Sequence, residues 1–105
     1  MTIVFIEDDR AIAGAVRDFL ADKGCRVSLC PTLAAAREAL AGTLPDLVLL
    51  DWNLPDGEGA GFCRELRARA PELPVLLLTV RSDTRDILAG FDCGADDYVT
   101  KPFDR

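Results

Sequence analysis

The sequence has 105 residues, half of them hydrophobic and 29% charged, which fits one globular domain with a buried core and excludes a disordered chain. Its formal net charge of -6 repels phosphate backbones, so direct nucleic-acid binding by this domain is not expected. The absence of histidine removes the most common general base and zinc ligand, and no apolar run is long enough to span a membrane.

Short apolar runs alternate with helix-periodic segments along the whole chain, a pattern typical of successive βα units around a parallel sheet. Residues 48–50 and 76–78 are apolar on both faces, so these strands require helices on both sides of the sheet. Five strands are predicted, in chain order, at residues 2–6, 26–29, 46–50, 74–78 and 97–99.

Apolar residues recur at helical spacing between these strands and predict four crossover helices. Gly24, Gly42 and Gly94 follow three of the helices, where a left-handed residue is least costly, and Thr32 and Ser82 are candidate N-caps. The residues expected to face the core are Ile12, Val16, Phe19 and Leu20 in the first helix, Leu33, Ala36 and Leu40 in the second, Phe62 and Leu66 in the third, and Ile87, Leu88 and Phe91 in the fourth.

This order of elements predicts a doubly wound α/β domain over residues 1–105, with five parallel strands, right-handed crossovers and helices on both faces. The chain stops at Arg105, shortly after the fifth strand, where a closing helix is expected. The domain is therefore expected to be incomplete at its C-terminal end. Its four cysteines form no C-x-x-C pair, which favours reduced thiols in a cytoplasmic protein.

Polar residues follow the predicted strands, and ligands of open parallel sheets bind beyond the carboxyl ends of the strands. Glu7 and Asp8 follow the first strand, Asp51 the third and Thr79 the fourth, and Lys101 comes two residues after the fifth. Carboxylates at about 4 Å repel by roughly 4 kcal/mol per pair at an effective dielectric near 20, so the three require a cation. Oxygen ligands alone favour Mg²⁺, and bound Mg²⁺ attracts a phosphoryl group that Lys101 and Thr79 can contact.

Acidic residues at strand ends also occur as helix caps or solvated loop charges. Asp51 argues against that interpretation for the whole set, because it lies between an apolar run and Trp52. The segment after it is not an EF-hand loop, since Pro55, Asp56 and Phe62 occupy the positions of a ligand, the invariant glycine and the final glutamate.

Four segments together resemble the response-regulator receiver domain of the CheY-like kind. They are FIEDD at residues 5–9, DLVLLDWNLPDG at 46–57, LTVR at 78–81 and GADDYVTKPF at 94–103. The resemblance covers essentially the whole chain and implies a flavodoxin-like sheet with strand order 2-1-3-4-5, the order for which the family is a standard example.

The resemblance implies a phosphoacceptor of two-component signal transduction. Asp51 would take a phosphoryl group from a phosphohistidine of a cognate sensor histidine kinase in a reaction that needs Mg²⁺. The ion would be held by Asp8, Asp51 and the backbone carbonyl of Asn53, with Glu7 acting largely through water. The domain would catalyse its own phosphorylation and dephosphorylation without being a turnover enzyme.

Three further residues take roles in the switch that the resemblance implies. Lys101 would pair with the phosphoryl oxygens, Thr79 would move to bond the phosphoryl group, and Tyr98 would rotate inward. These movements would reshape the surface of the fourth helix and fifth strand.

The segments around Thr79 and Tyr98 look most like the OmpR/PhoB-type subfamily, whose output is a DNA-binding transcription-regulator domain, absent from this chain. That subfamily dimerises through a face that includes the fourth helix and fifth strand, so a possible homodimer is implied. Two positions depart from the pattern. Ala89 replaces a common basic residue of that interface, and Val80 is bulkier than the usual alanine or glycine.

Two other classes of function remain open. A pseudo-receiver that acts only as an interaction module would require a broken pocket, whereas all five anchor positions are present. A metal-dependent phosphatase with an aspartyl nucleophile would carry a second aspartate two residues after Asp51, where this chain has Asn53. Turnover of a generic phosphate ester would identify the phosphatase.

Overall fold

The computed structural model of the protein describes residues 1–79 and 97–100. Within them lies a sheet of five parallel strands, which we number β1 to β5 along the chain. They are β1 (Thr2–Ile6), β2 (Arg26–Cys30), β3 (Leu47–Asp51), β4 (Val75–Thr79) and β5 (Asp97–Thr100). Their spatial order is β2-β1-β3-β4-β5, which confirms the predicted topology.

The strand ends differ from the prediction in a way that matters for function. β3 and β4 each begin and end one residue later than predicted, so Asp51 and Thr79 are the last residues of their strands and do not follow them. Asp51 pairs in register with Leu78 on β4, and Leu50 pairs with Ile6 on β1. The carboxyl end of β3 is therefore paired with a neighbouring strand on each side.

Three helices connect the described strands: α1 (Arg10–Asp22), α2 (Leu33–Leu40) and α3 (Gly59–Arg69). Thr32 caps α2 by accepting a hydrogen bond from the backbone N–H of Ala35, as predicted. Positive φ values among the described residues occur at Gly24 and Gly57, so the left-handed conformation predicted for Gly42 is wrong. The fourth helix, Ser82 and Gly94 lie outside the described residues.

The core has two parts, one on each face of the sheet, as the doubly wound fold requires. On one face α2 and α3 pack over the strands, and all five of their predicted core residues are buried. On the other face α1 packs through Ala13, with Val16 and Leu20 partly buried. Phe19 was expected in that core and is 62% exposed, so this prediction is wrong.

The structure also contains a small antiparallel ribbon that the sequence did not predict. Asn53–Leu54 pairs with Gly57–Glu58, and residues 55 and 56 form the turn between them. We call this segment the loop ribbon. It lies between Asp51 at the end of β3 and the first turn of α3.

Cys25, Cys30 and Cys63 are not part of any disulfide, and burial raises the pKa of Cys30. Among the described helices, none combines the length and apolar character that crossing a bilayer requires.

Candidate functional site

Three carboxylates meet at the carboxyl edge of the sheet. One oxygen each from Glu7, Asp8 and Asp51 can be chosen so that all three lie within 4.8 Å of one another. The convergence follows from strand order, because β1 and β3 are neighbours and Ile6 pairs with Leu50. Glu7 and Asp51 are buried, at 3% and 6% exposure, while Asp8 is exposed.

Hydrogen bonds fix the backbone that carries Glu7. Its N–H donates to the carbonyl of Cys30 at 3.0 Å, which joins the exit of β1 to β2. Its Oε2 accepts from the N–H of Asp9 at 3.2 Å. Asp9 itself caps α1, with Oδ1 accepting from Ala11 at 2.9 Å and Ile12 at 3.1 Å. Acidic residues at strand ends often cap the following helix, and here Asp9 does so. Asp9 is adjacent in sequence to Asp8 but is not one of the three clustered carboxylates.

Backbone packing fixes the position of Asp51 from the side of α3. The N–H of Trp52 continues the ladder by donating to the carbonyl of Leu78 at 2.9 Å, and the carbonyl of Trp52 accepts from Gly59 at 2.6 Å. A Cβ atom on Gly59 would overlap the carbonyl oxygen of Asp51. Residue 59 must therefore be glycine for the start of α3 to lie this close to the end of β3.

The turn of the loop ribbon contacts α2. Asp56 accepts hydrogen bonds from the N–H groups of Leu33 at 2.8 Å and Ala34 at 3.0 Å, and these bonds hold the pKa of its carboxyl below the ordinary value. Gly57 has φ of 153°, and a Cβ there would lie 2.9 Å from Cδ1 of Leu33. The sequence named Asp56 only in excluding an EF-hand loop and did not predict these bonds, because the partners of Asp56 lie more than twenty residues away.

The remaining predicted site residues are described in part or not at all. Thr79 ends β4 next to Asp51 on β3, and its backbone pairs with Thr100. Tyr98 lies within β5, where it pairs with Leu77. Asn53 lies in the loop ribbon, opposite Glu58. Lys101 lies outside the described residues, as do Val80 and Ala89.

A cleft of about 330 Å³ opens beside Glu7 and Asp8, between α1 and the end of β2. The exposed carboxylate of Asp8 therefore borders a space that water or a small reactant can enter. The other residues that line the cleft are Arg10, Ala13, Gly14, Arg17, Leu29 and Pro31.

The donor set fits a small, hard divalent cation. All three side chains offer oxygen, and oxygen ligands without thiolate or imidazole suit Mg²⁺ better than zinc or copper. Two of the three carboxylates are buried, where charge is costly unless it is compensated. The third is exposed and leaves one side of the group open to water, which Mg²⁺ retains in most protein sites.

The family model of the response regulator receiver domain matches residues 3–105 of the chain. The response regulator MprA of Mycobacterium sp. (strain KMS) is 40% identical over 101 residues, covering 96% of this chain and 44% of that protein. MprA of Mycobacterium avium (strain 104) is 39% identical over 103 residues, covering 98% and 45%. The chain thus spans less than half the length of these curated relatives.

Solved structures agree in fold. A two-component response regulator from Clostridium difficile matches with a TM-score of 0.95 at 27% identity, covering 99% of this chain and 85% of that chain. The BeF3-activated N-terminal receiver domain of Klebsiella pneumoniae RstA matches with a TM-score of 0.92 at 34% identity, covering 99% and 88%.

Proposed function

The chain belongs to the response-regulator receiver domain family of two-component signalling, and from that premise we propose that Asp51 is its phosphoacceptor. One observation carries the proposal: Asp51 ends the central strand of the sheet, buried and grouped with Glu7 and Asp8. The phosphoryl group would come from a phosphohistidine on a cognate sensor histidine kinase or from a small acyl phosphate.

Mg²⁺ is the cofactor that fits this site. Asp8, Asp51 and the backbone carbonyl of Asn53 would hold it, with Glu7 bound largely through water. When bound, the ion supplies positive charge that offsets the carboxylates and the incoming phosphoryl oxygens.

In the proposed reaction, a carboxylate oxygen of Asp51 attacks phosphorus in line with the leaving group. A new O–P bond forms while the P–N bond to the kinase imidazole breaks, and the imidazole leaves with the bonding electron pair and takes up a proton. With an acyl phosphate, the P–O bond breaks and a carboxylate leaves. Later attack by water releases phosphate and restores Asp51. The domain thus modifies itself and turns over no separate substrate.

Lys101 and Thr79 would contact the phosphoryl oxygens, and Tyr98 would follow the movement of Thr79. In support, Thr79 is the last residue of β4, which is paired with the strand that carries Asp51. β5 is paired with β4 and ends at Thr100, one residue before Lys101 in the sequence. The movement would change the surface formed by β5 and the segment before it, which is where we place the homodimer interface.

The output proposed for the complete protein is transcription control by a DNA-binding domain. The curated relatives are response regulators more than twice as long as the matched segment, so they have room for a second domain. The receiver itself, at a net charge of -6, would regulate that domain without binding DNA. We place the protein in the cytoplasm, where the phosphodonors proposed above are found.

Intact mass measurement after exposure to a small acyl phosphate tests the proposal. We expect the parent chain to gain the mass of one phosphoryl group with Mg²⁺ and to gain none after the metal is chelated. Asp51→Asn is expected to gain none under either condition, whereas Asp46→Asn, at the opposite end of β3, should be labelled like the parent. Labelling of Asp51→Asn, or steady turnover of a generic phosphate ester, would overturn it.

A further inference from the structure

The N-terminus of α2 is capped by two different parts of the chain. The hydroxyl of Thr32 accepts from the N–H of Ala35 at 3.0 Å, which is an ordinary local cap. The N–H groups of Leu33 and Ala34 instead donate to Asp56, at 2.8 Å and 3.0 Å. The first turn of α2 is thus completed by a side chain from the loop that follows Asp51.

Asp56 lies at the turn of the loop ribbon. The ribbon is closed at its base by the bond from the N–H of Gly59 to the carbonyl of Trp52. Its two short strands are paired at Asn53 with Glu58 and at Leu54 with Gly57. A two-residue pair is too short to hold its own orientation, so the orientation of the ribbon depends on its contacts with the rest of the domain. These contacts are the packing of Leu54 against the larger core cluster and the attachment of the turn to α2.

The helix that receives this attachment is well fixed. Leu33, Ala36 and Leu40 are buried in the larger core cluster. Arg37 also contacts α3, with Nε 2.9 Å and Nη2 3.1 Å from the two carboxylate oxygens of Glu65, and its guanidinium lies 5.3 Å from the ring centre of Phe62. The bonds from Asp56 therefore join the ribbon to a rigid element and not to another loop.

We propose that Asp56 is a positioning residue for the metal site, acting through the loop ribbon to present the backbone carbonyl of Asn53 toward Asp51. The inference rests on the proposed function, because it needs Mg²⁺ at that site. Asp56 would not bind the ion itself, since both of its carboxylate oxygens accept hydrogen bonds at the end of α2. Partners that orient metal ligands commonly change metal affinity by about 10- to 100-fold when removed.

The test is a Mg²⁺ titration followed by the fluorescence of Trp52, the one tryptophan of the sequence, which is 4% exposed and adjacent to Asp51. We expect Asp56→Ala to raise the dissociation constant by about 10-fold. Asp46→Ala is the matched control, because Asp46 also accepts two hydrogen bonds, from the N–H and hydroxyl of Thr2 at 2.7 and 3.1 Å. It lies at the opposite end of β3 from Asp51. Both variants should lower Tm, and only the first should weaken Mg²⁺ binding.

Two further variants distinguish the proposed positioning role of Asp56 from the effect of its negative charge on Mg²⁺ affinity. Glu58→Gln removes an exposed charge from the same ribbon and should leave the affinity within about twofold of the parent. Asp56→Asn keeps one acceptor oxygen and should give an intermediate constant, which also keeps the test usable if Asp56→Ala does not fold. Excess Mg²⁺ should restore phosphorylation of Asp56→Ala to the parental rate, because the defect is in affinity.

Equal affinity in Asp56→Ala and the parent would overturn the inference and leave the proposed phosphoacceptor role intact. An equal loss in Glu58→Gln would also overturn it, by showing that charge alone matters. A parent protein that binds no Mg²⁺ by fluorescence and by calorimetry would overturn both the proposed metal site and the role of Asp56.

Discussion

The two ends of β3 each carry an aspartate at or beside the strand terminus, and the surroundings of the two carboxylates differ. Asp46, before the strand, is exposed and accepts hydrogen bonds from the N–H and hydroxyl of Thr2, which hold its pKa below the ordinary value. Asp51, at the other end, is buried and shares a small volume with Glu7 and Asp8.

The two carboxylates differ in their surroundings because they lie at opposite ends of the same parallel strand. At the amino end, the N–H and hydroxyl of Thr2 donate hydrogen bonds to a single carboxylate and stabilise its charged form, so this aspartate has a structural role. At the carboxyl end, the topology brings three carboxylates together, and the result is a donor set that fits a divalent cation. The following predictions are ordered from the largest expected effect to the smallest.

Gly59→Ala tests the close approach at the carboxyl end. The added Cβ would overlap the Asp51 carbonyl, so we expect a loss of about 3 kcal/mol in the free energy of unfolding, measured by urea denaturation. Gly61→Ala is the control in the same helix, where nothing lies within 4 Å of the added atom. It should stabilise the protein by about 0.5–1 kcal/mol, and equal effects of the two substitutions would contradict this account.

Mg²⁺ should stabilise the folded protein through the carboxylate group that contains Asp51 and not through Asp46. At 100 times its dissociation constant, the ion is expected to add about 2.7 kcal/mol, because it binds the native site and not the unfolded chain. Thermal melts should show this gain in the parent and in Asp46→Asn, and show little of it in Asp51→Asn. A parental Tm that does not respond to millimolar Mg²⁺ would count against the site.

Without metal, the same two substitutions should have opposite signs. Asp51→Asn relieves repulsion within the group and is expected to stabilise the protein by about 1–3 kcal/mol, an estimate for carboxylate oxygens within 4.8 Å of one another in a partly screened environment. Asp46→Asn weakens the bonds with Thr2 and should lower Tm. Chelator-treated samples would provide the comparison, and a lower Tm for Asp51→Asn would refute it.

The stability contributed by Asp46 should depend on pH. Its folded pKa lies below the ordinary aspartate value of 3.8, chiefly because the Thr2 N–H donates to it. A lowered pKa contributes stability that is present above 3.8 and is lost as the pH falls through the folded value. Tm of Asp46→Asn should therefore differ from that of the parent at pH 7 and approach it in strong acid. A constant difference across that range would be inconsistent with the assignment.

Much of the fold was predictable because its signals are local or periodic. Residues 48–50 identify a strand that is covered on both faces, and the buried residues of α2 were correctly read from helical spacing. The position of Phe19 was predicted wrongly. The face of α1 that packs on the sheet contains Ala13, Val16 and Leu20, and Phe19 lies beside that face and is exposed. There the ring lies 5.4 Å from the ammonium of Lys23.

The carboxylate group was predictable because a topological rule collects strand ends at one edge, whatever the sequence distance between Glu7 and Asp51. The loop ribbon was not predictable, since two-residue strands have no periodicity. The hydrogen bonds of Asp56 could not be predicted either, because they form only where α2 begins next to the turn of the loop ribbon. That contact arises from packing, and the sequence around residue 33 or residue 56 does not indicate it.

The most direct test of the central claim is a crystal structure grown with Mn²⁺, which takes the same oxygen ligands as Mg²⁺ and can be located by anomalous scattering. We predict one strong peak at the carboxyl edge of the sheet, within about 2.0–2.3 Å of oxygens of Asp8 and Asp51. No peak there, at a concentration that stabilises the protein against heat, would contradict it.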